Sequence, residues 1–391
     1  MRIVHTADWH IGKIVNEFNM LEDQTYILDR LVAFLTEQGA DVLIVAGDLY
    51  DRSVPSADAV AMLDRVFSRI VLEVGIPVLA VAGNHDSPER LDFGNSILAA
   101  GGLHIEGTPA SPVQRVTLED PYGPVCFYLL PYLTPAHARA LYPEAEIRTY
   151  DDAYDTVMKD ILPSLDPNQR NVLVGHGFFE YLSEGADATG ALDESEVSVG
   201  GSDLVDAKRL SVFDYVALGH LHSPHRVGLD SIRYAGSLLK YAVDEAGQKK
   251  SVTLIELGEK GSSQITEHSL TPRRDLRIVE GRFSELMRRE NQVGFSFEDY
   301  IFVHLTDEAP VMDAVARLRA VFPNILGLQY TVYDPAEDVQ AISPRTIRTQ
   351  GIEQLFAGFY EKFSDTPLDP AQTKLVAEVV REVEEANHAA D

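Results

Sequence analysis

The sequence predicts an α/β fold, a layered sandwich of strands with helices outside, followed by a smaller α+β unit and terminal helices. Two observations predict it. Residues 1 to about 270 alternate short, β-rich apolar stretches with stretches of helical periodicity. Five of the apolar stretches end at glycine or alanine, followed by a side chain that can bind a metal. Ligands bind at the carboxyl ends of strands in α/β sheets, so this pattern favours a site at one sheet edge.

The five apolar stretches are short, rich in β-branched residues and closed by a turn residue, as buried strands are. They are Ile3–Ala7 before Asp8-Trp9-His10, Val42–Gly47 before Asp48, Val78–Gly83 before Asn84-His85-Asp86, Val172–Gly175 before His176, and Tyr215–Gly219 before His220-Leu221-His222. One polar side chain after a strand is usually an ordinary turn or core residue. Five such side chains after five predicted strands indicate a functional site.

Between the strands, apolar residues recur at helical spacing. The pattern predicts a helix from Leu21 to Gln38, a second from Pro55 to Ile70, and a helical stretch from Leu133 to Asp160 with a loop around Pro143. Residues 185–201 read as an acidic surface loop, and residues 231–237 and 251–257 as strands.

The pattern changes after a turn or weak linker at residues 258–263. It predicts strand 276–279, helix 284–289, strand 300–305, helix 312–321 and strand 325–332, and beyond Ser343 helices, one capped by Asp369-Pro370. We therefore expect three domains, at residues 1–270, 271–340 and 341–391. The aromatic stripe from Leu355 to Phe363 is either the core of a helix or a face for a partner.

Composition narrows the class of protein. The chain has 391 residues, 45% of them hydrophobic, and no apolar run approaches the ~18 residues of a membrane span. A single cysteine, Cys126, and an N-terminus without a signal-peptide pattern predict a cytoplasmic protein. The formal charge of −28 disfavours stand-alone DNA binding, although metal ions or a partner can supply positive charge.

The polar side chains after the five strands have the chemistry of a metal centre. We predict as ligands Asp8, His10, Asp48, Asn84, His176, His220 and His222. Carboxylate, imidazole and amide donors without thiolate suit Mn²⁺, Mg²⁺, Fe²⁺ or Zn²⁺. Seven donors are too many for one ion and fit two ions with a bridging carboxylate, an arrangement that promotes in-line displacement at phosphorus.

These blocks resemble the five signature motifs of the calcineurin-like metallophosphoesterases. The opening Met1 to Gly12, the stretch Gly47 to Asp51 and the stretch Tyr234 to Tyr241 are similar to the SbcD family, the nuclease subunits of bacterial SbcCD complexes. The similarity covers residues 1 to about 255. It implies a four-layer α/β/β/α sandwich, with the α+β unit as a capping domain and the terminal helices as a partner-binding tail.

The resemblance also implies residue roles. Two Mn²⁺ ions would be held by Asp8, His10, Asp48 and His222, and by Asp48, Asn84, His176 and His220, with Asp48 bridging. Hydroxide would attack the phosphodiester while His85 assists the leaving oxygen, and Asp86 would support the ligands from behind. Archaeal and eukaryotic relatives carry a second histidine three residues after the bridging aspartate, where this chain has Asp51.

The implied activity is cleavage of DNA, as an exonuclease on double strands and an endonuclease on single strands or hairpins, in DNA repair, recombination and replication. Candidate phosphate contacts are Lys13, Arg52, Arg90 and Lys240. The implied partners are the SbcC ABC-type ATPase, whose coiled-coil base would dock on the tail, and a second copy of the chain within a heterotetramer. A nucleoid-associated location is expected.

Two other functions compete with this interpretation. A small-molecule phosphodiesterase or phosphatase has the same five blocks, needs no DNA path and tolerates the acidic charge. A non-catalytic scaffold is disfavoured because no ligand position is lost. The blocks alone indicate phosphoester hydrolysis, and only the residues around and after them indicate DNA.

Overall fold

The computed structural model describes residues 1–181, 203–288 and 296–331, together with 356–357, 360, 368–370, 372–377 and 379. The chain divides into two units, Met1–Asp307 with Val311–Gln329, and Glu308–Pro310 with Tyr330–Asp391. The predicted acidic loop at 185–201 lies outside the described residues. The predicted domain boundaries near 270 and 340 stay predictions.

The described strands and helices alternate through most of the chain. The strands are β1 (Arg2–Thr6), β2 (Ile14–Val15), β3 (Phe18–Asn19), β4 (Val42–Ala46), β5 (Val78–Val81), β6 (Leu103–Glu106), β7 (Gln114–Asp120), β8 (Gly123–Leu130), β9 (Arg170–His176), β10 (Phe179–Glu180), β11 (Val205–Asp206), β12 (Tyr215–Gly219), β13 (His225–Val227), β14 (Leu229–Tyr234), β15 (Val252–Leu257), β16 (Ser263–His268), β17 (Leu276–Gly281), β18 (Tyr300–Leu305) and β19 (Ile325–Tyr330). The α-helices are α1 (Leu21–Gln38), α2 (Ala57–Ser68), α3 (Pro88–Leu91), α4 (Asn95–Ala100), α5 (Pro135–Leu141), α6 (Tyr150–Ile161), α7 (Phe283–Leu286) and α8 (Ala314–Leu318). A π-helical turn spans Arg69–Val74, and 3-10 turns span Leu162–Ser164, Ala207–Val212 and Val243–Gly247.

Two six-stranded sheets form the centre of the fold. Their strand orders are β16-β15-β1-β4-β5-β6 and β13-β14-β12-β9-β8-β7. In the first sheet β1, β4, β5 and β6 run parallel, and in the second β8, β9, β12 and β14 do. The strands β15 and β16 in the first sheet and β7 and β13 in the second pair antiparallel. Because parallel strands end on the same side, the residues that follow β1, β4, β5, β9 and β12 meet at one edge.

The sheets pack face to face with helices outside. Alternate residues of each strand point to opposite faces, so that in β4 Val42 and Ile44 lie in the apolar layer between the sheets. Leu43 and Val45 lie in the outer layer beneath α1 and α2. A third apolar cluster packs the second sheet against α6 and its neighbours. The predicted four-layer α/β/β/α sandwich is confirmed.

The predicted long helices are confirmed, and local sequence explains their ends. α1 ends at Gly39, whose left-handed φ of 58° suits glycine. The Ser56 side chain caps α2 by accepting a hydrogen bond from the Ala59 N–H. The helical stretch around Pro143 is two helices, α5 and α6, and Thr149 and Asp152 form a capping box at α6.

The predicted order of strands and helices between residues 276 and 330 is confirmed, with α7, α8 and β19 shorter than predicted and β17 longer. Residues 258–263 contain a hairpin turn between β15 and β16 rather than a linker. The three-stranded sheet β17-β18-β19 follows, with α7 and α8. The Asp369 side chain accepts a hydrogen bond from the Gln372 N–H at 2.8 Å, as predicted for a helix cap. Most of the aromatic stripe lies outside the described residues.

Among the described residues, none of the helices combines the length and the apolar character needed to cross a membrane.

Candidate metal centre

The strand ends bring the predicted ligands together through an unusual backbone. Asp8, His10, Asp48 and His220 all have positive φ, at 52°, 44°, 50° and 115°. Such conformations cost on the order of 1–3 kcal/mol each in non-glycine residues and persist where surrounding contacts impose them. Here the N–H groups of Asp8 and His10 donate to the carbonyl oxygens of Gly47 and Asp48, each at 3.0 Å. These bonds hold the loop after β1 against the loop after β4.

One group of donors consists of Asp8, His10 and His222. Their donor atoms lie within 4.8 Å of one another. The Nε2 atoms of His10 and His222 are 3.1 Å apart, so two ring nitrogens face the same point. Asp8 is fully buried, and both its carboxylate oxygens accept from the N–H of His220, at 3.0 and 3.2 Å.

A second group of donors surrounds Asn84. Its amide oxygen lies 3.0 Å from Nε2 of His176 and 3.0 Å from Nδ1 of His220. His176 donates its Nδ1–H to the carbonyl oxygen of Ala46 at 2.8 Å, so Nε2 is the ring nitrogen that faces the group. Nε2 is directed at the point where the amide oxygen and the second imidazole converge.

Asp48 connects the two groups. Its Oδ2 atom lies 3.6 Å from Nε2 of His10 and 3.5 Å from Nε2 of His176. Its Oδ1 atom accepts the N–H of His85 at 2.9 Å, which fixes the carboxylate plane. A carboxylate in this position can bridge two cations.

Two glycines are required by this packing. A Cβ on Gly47 would lie 2.1 Å from Nδ1 of His176, and a Cβ on Gly83 would lie 2.1 Å from Oδ1 of Asp48. Neither the imidazole nor the carboxylate can move aside without leaving its donor group. Gly47, which precedes Asp48, and Gly83, which precedes Asn84, are therefore part of the site.

The electrostatics of the centre are dominated by burial and by the close approach of carboxylates to imidazoles. Burial lowers the pKa of His10 well below its ordinary value and lowers that of His220 to about 3. Burial disfavours charge on His176 as well, but the Asp48 carboxylate outweighs it and raises the pKa of His176 to about 9. Burial raises the pKa of Asp8 to about 7, whereas for Asp48 the imidazoles outweigh burial and hold the pKa well below its usual range.

The donor set fits divalent cations. The Nε2 atoms of His10 and His222 face each other at 3.1 Å, and the carboxylates of Asp8 and Asp48 lie beside them. Donor atoms that converge in this way are arranged as the ligands of a cation are. Oxygen and nitrogen donors without thiolate match Mn²⁺, Mg²⁺, Fe²⁺ or Zn²⁺.

Comparisons with known proteins identify the family. A family model described as calcineurin-like phosphoesterase matches residues 1–224, and one described as type 5 capsule protein repressor C-terminal domain matches residues 272–363. The chain belongs to the calcineurin-like phosphoesterases. The D subunit of the SbcCD nuclease of Staphylococcus epidermidis is 31% identical over 375 residues, 95% of this chain and 96% of that protein, so the chain is also a member of the SbcD family.

Solved structures align with the chain at low identity. The protein TT1561 of Thermus thermophilus is 14% identical and aligns over 68% of this chain and 98% of its own, with a TM-score of 0.39. A dimetal phosphatase from Danio rerio is 12% identical, over 69% and 99%, with a TM-score of 0.39. The family assignment rests on the sequence matches, which make this calcineurin-like phosphoesterase a metal-dependent hydrolase.

His85 stands beside the predicted metal ligands of this phosphoesterase. Its ring is perpendicular to that of His10, with centroids 4.8 Å apart. Its Nδ1–H donates to the carbonyl oxygen of Asp51 at 3.0 Å, which directs Nε2 away from the loop. The side chain of Asp51 binds the ammonium of Lys13 at 2.8 Å, so Lys13 provides positive charge in this corner of the site.

Asp86 lies behind the ligands. Its carboxylate accepts from the N–H groups of Leu49, Tyr50 and Gly83 at 3.1, 2.9 and 2.9 Å. Burial, helped by the Asp48 charge, raises its pKa to about 6 against these bonds. Asp86 therefore ties the loop after β4 to the loop after β5, consistent with the predicted supporting role.

The sequence did not predict two buried supports of the centre. Glu245 accepts the Nδ1–H of His222 at 2.8 Å. Gln24 donates to the carbonyl oxygens of His10 and Trp9 at 2.8 and 3.2 Å. Neither residue directly follows a strand, so the strand-end pattern does not identify them. The one available signal for Glu245 is the general observation that a histidine ligand usually donates its other N–H to a carboxylate.

The four predicted phosphate contacts differ in their surroundings. Arg52 and Arg90 are exposed, and Lys13 is half-buried beside Asp51. Lys240 donates to the carbonyl oxygens of Ala246 and Leu276 at 2.7 and 3.1 Å and pairs with Asp275 at 2.9 Å. These contacts favour a structural role for Lys240, and DNA contact stays a prediction for all four.

Proposed function

We propose that this chain is a manganese-dependent DNA nuclease that acts on double-stranded ends as an exonuclease and on single strands or hairpins as an endonuclease. The observation that carries the proposal is the convergence of Asp8, His10 and His222, and of Asn84, His176 and His220, on either side of Asp48. The chain that carries these donors matches a nuclease subunit over 95% of its length. The proposed setting is DNA end processing in repair, recombination and replication.

We assign the two cations to the two donor groups. Asp8, His10, Asp48 and His222 would hold one, and Asp48, Asn84, His176 and His220 the other. When bound, the ions supply Lewis-acid stabilisation of phosphate charge and lower the pKa of water, so that a nucleophile forms at neutral pH. Mn²⁺ is proposed from the family resemblance, and the donor set also accepts Mg²⁺, Fe²⁺ or Zn²⁺.

The chain's own residues perform three tasks in this scheme. The loops at the strand ends hold the scissile phosphate in line, because positioning supplies much of the rate in phosphoryl transfer. His85, with its Nδ1–H donated to the Asp51 carbonyl, presents Nε2 to the leaving oxygen, and in the doubly protonated imidazolium form it transfers the Nε2 proton to that oxygen. Burial of Asp8 and Asp48 excludes water and strengthens electrostatic stabilisation of the transition state.

We propose that an SbcC-like ABC-type ATPase is the partner, bound by the tail at 341–391. The formal charge of −28 supports the need for a partner, because a nuclease of this charge requires additional cationic surface to bind a DNA duplex. The family resemblance supports the choice of the ATPase, and the tail itself lies largely outside the described residues.

We propose further that two copies associate through the surface of α2, α3 and α4. Phe93 is 87% exposed and Ile97 81%, and Leu72 and Val60 are also exposed around the same cleft of about 360 Å³. Soluble monomers rarely expose apolar side chains in such a group, which favours a protein partner. The family resemblance supports a second copy as that partner, giving a homodimer within a heterotetramer.

The test is cleavage by the purified full chain with MnCl₂. End-labelled duplex, hairpin DNA and bis-p-nitrophenyl phosphate are offered separately, with and without the ATPase. Cleavage of both DNA substrates is expected, and Asp48→Ala is the inactive control. Turnover of the small ester alone would favour a small-molecule phosphodiesterase and contradict the DNA assignment.

A further inference from the structure

Behind the ligand His222 lies a buried ion pair that none of the predicted roles uses. Glu245, in the 3-10 turn Val243–Gly247, is 5% exposed at its side chain, and Lys250 is 7% exposed. Their charged atoms are 2.6 Å apart. Burying a charged pair is costly unless further hydrogen bonds satisfy both partners, so its contacts indicate what it does.

Both partners of this pair bind His222. One carboxylate oxygen of Glu245 accepts the ring Nδ1–H at 2.8 Å, and the other faces Lys250 and accepts the N–H of Tyr241 at 3.2 Å. The Lys250 ammonium donates to the main-chain carbonyl oxygen of His222 at 2.9 Å and to Gln248 at 2.6 Å. The ring and the backbone of one ligand are thus held by two ends of the same ion pair.

We propose that Glu245, held by Lys250, is a positioning residue that sets the affinity of one metal site. The hydrogen bond to Nδ1 fixes the tautomer of His222 and presents Nε2 to the point shared with His10, 3.1 Å away. A carboxylate on the far side of a ligand imidazole also increases its basicity. The inference rests on the proposed two-cation site and concerns only the ion held by Asp8, His10 and His222.

The structure predicts selectivity between the two sites. The other histidine ligands are oriented differently, since His176 donates to the main-chain carbonyl of Ala46 and His220 faces Asn84. Glu245 contacts neither of them among the hydrogen bonds of the described residues. Its removal therefore weakens one cation site and leaves the other unchanged.

The test is calorimetric titration of MnCl₂ into the metal-free full chain. Wild type is expected to show two sites, and Glu245→Ala to lose 10- to 100-fold in affinity at one of them, the usual effect of losing such a partner. Glu245→Gln keeps the volume and an acceptor for Nδ1–H while losing the charge, so a smaller loss at the same site is expected. It also preserves the test if the alanine variant fails to fold.

Asp214→Asn is the matched control, because Asp214 is a buried carboxylate bound to Lys260 at 2.7 Å and to the N–H of Asn171 at 2.7 Å. Both affinities should match wild type in this variant. Nitrogen-15 NMR of the metal-free protein gives a second readout, in which the Nδ1-protonated signal of His222 becomes a tautomer mixture in Glu245→Ala.

Affinities in Glu245→Ala that match wild type at both sites would overturn the inference. Equal weakening of both sites would also overturn it, by making Glu245 a structural residue. Failure of the proposed function is a separate result, in which wild type binds both ions and cleaves no DNA.

Discussion

His85 donates its Nδ1–H to the main-chain carbonyl oxygen of Asp51 at 3.0 Å. A carbonyl oxygen can only accept, so Nδ1 carries a proton, and Nε2 is the atom that can transfer a second proton when the ring is an imidazolium. The main chain of Asp51 thus orients the proposed acid, while its side chain pairs with Lys13. Asp51 therefore makes two separate contacts in the site, one through its main chain and one through its side chain.

We predict that His85→Ala binds both cations and loses cleavage by about 10²- to 10⁴-fold, the usual contribution of a general acid. Its ring lies beside the ligands, and its hydrogen bond to the Asp48 carboxylate comes from the main chain, which the substitution preserves. Metal analysis and DNA cleavage by the same preparation check the prediction. His137→Ala, an exposed histidine on α5, is the control. Loss of an ion in His85→Ala would place His85 among the ligands.

A second prediction concerns Gly83, whose added Cβ would meet Oδ1 of Asp48 at 2.1 Å and its main-chain nitrogen at 2.4 Å. Gly83→Ala should displace the Asp48 carboxylate, so both proposed cation sites should bind about 10-fold more weakly or worse, the scale seen when a ligand loses a contact that orients it. Calorimetry with MnCl₂ measures this. Gly258→Ala is the control, since a Cβ there makes ordinary contacts of 3.4 Å or more. Unchanged binding in Gly83→Ala would refute the bridging role of Asp48.

The sequence predicted the parts of the fold that local pattern determines. α1 has the predicted bounds because its apolar stripe ends at a glycine that takes a left-handed conformation. α8 begins later than predicted because Asp313 has a φ of 53°, which interrupts the helix expected from Met312. A positive φ in a non-glycine residue is imposed by tertiary contacts, and apolar periodicity does not reveal it.

In the metal centre, too, local pattern predicts some features, and tertiary contacts impose others. The convergence of the predicted ligands could be predicted because each follows a buried strand, and parallel strands bring their ends to one edge. Glu245 was not predictable, because it lies in an irregular turn 23 residues after His222 and reaches it only through the fold. The sequence also does not predict the positive φ values of Asp8, His10 and Asp48, because hydrogen bonds between the loops after β1 and β4 impose them.

The third prediction tests the apolar surface around α4. Replacing Phe93 and Ile97 together by aspartate should convert a dimer into a monomer, because both side chains are almost fully exposed and would be charged at the proposed interface. Light scattering after size exclusion measures the mass. Met312→Asp is the control, an equally exposed apolar residue elsewhere. A wild-type monomer, or a dimer that survives the double substitution, would contradict the proposed interface.

The last prediction concerns pH and lies away from the metal centre. Burial, and then the nearby Asp92 charge, raise the pKa of Glu106 to about 7, against about 4.3 for a glutamate in an unfolded chain. The folded state therefore holds this proton more tightly than the unfolded state. The resulting stabilisation is fully present below about pH 4.3 and is lost as the pH rises through about 7.

Glu106→Gln cannot ionise, so it should match wild type near pH 4.5 and exceed it above pH 7. Since Glu106 is only half-buried, we expect a gain of about 1 kcal/mol in the free energy of unfolding at pH 8. Urea denaturation with a chelator at both pH values measures the difference without metal binding. Glu119→Gln, at an exposed strand position, should change stability by less than about 0.5 kcal/mol at either pH. A Glu106→Gln gain that is equal at both pH values would show that ionisation of Glu106 is not its cause.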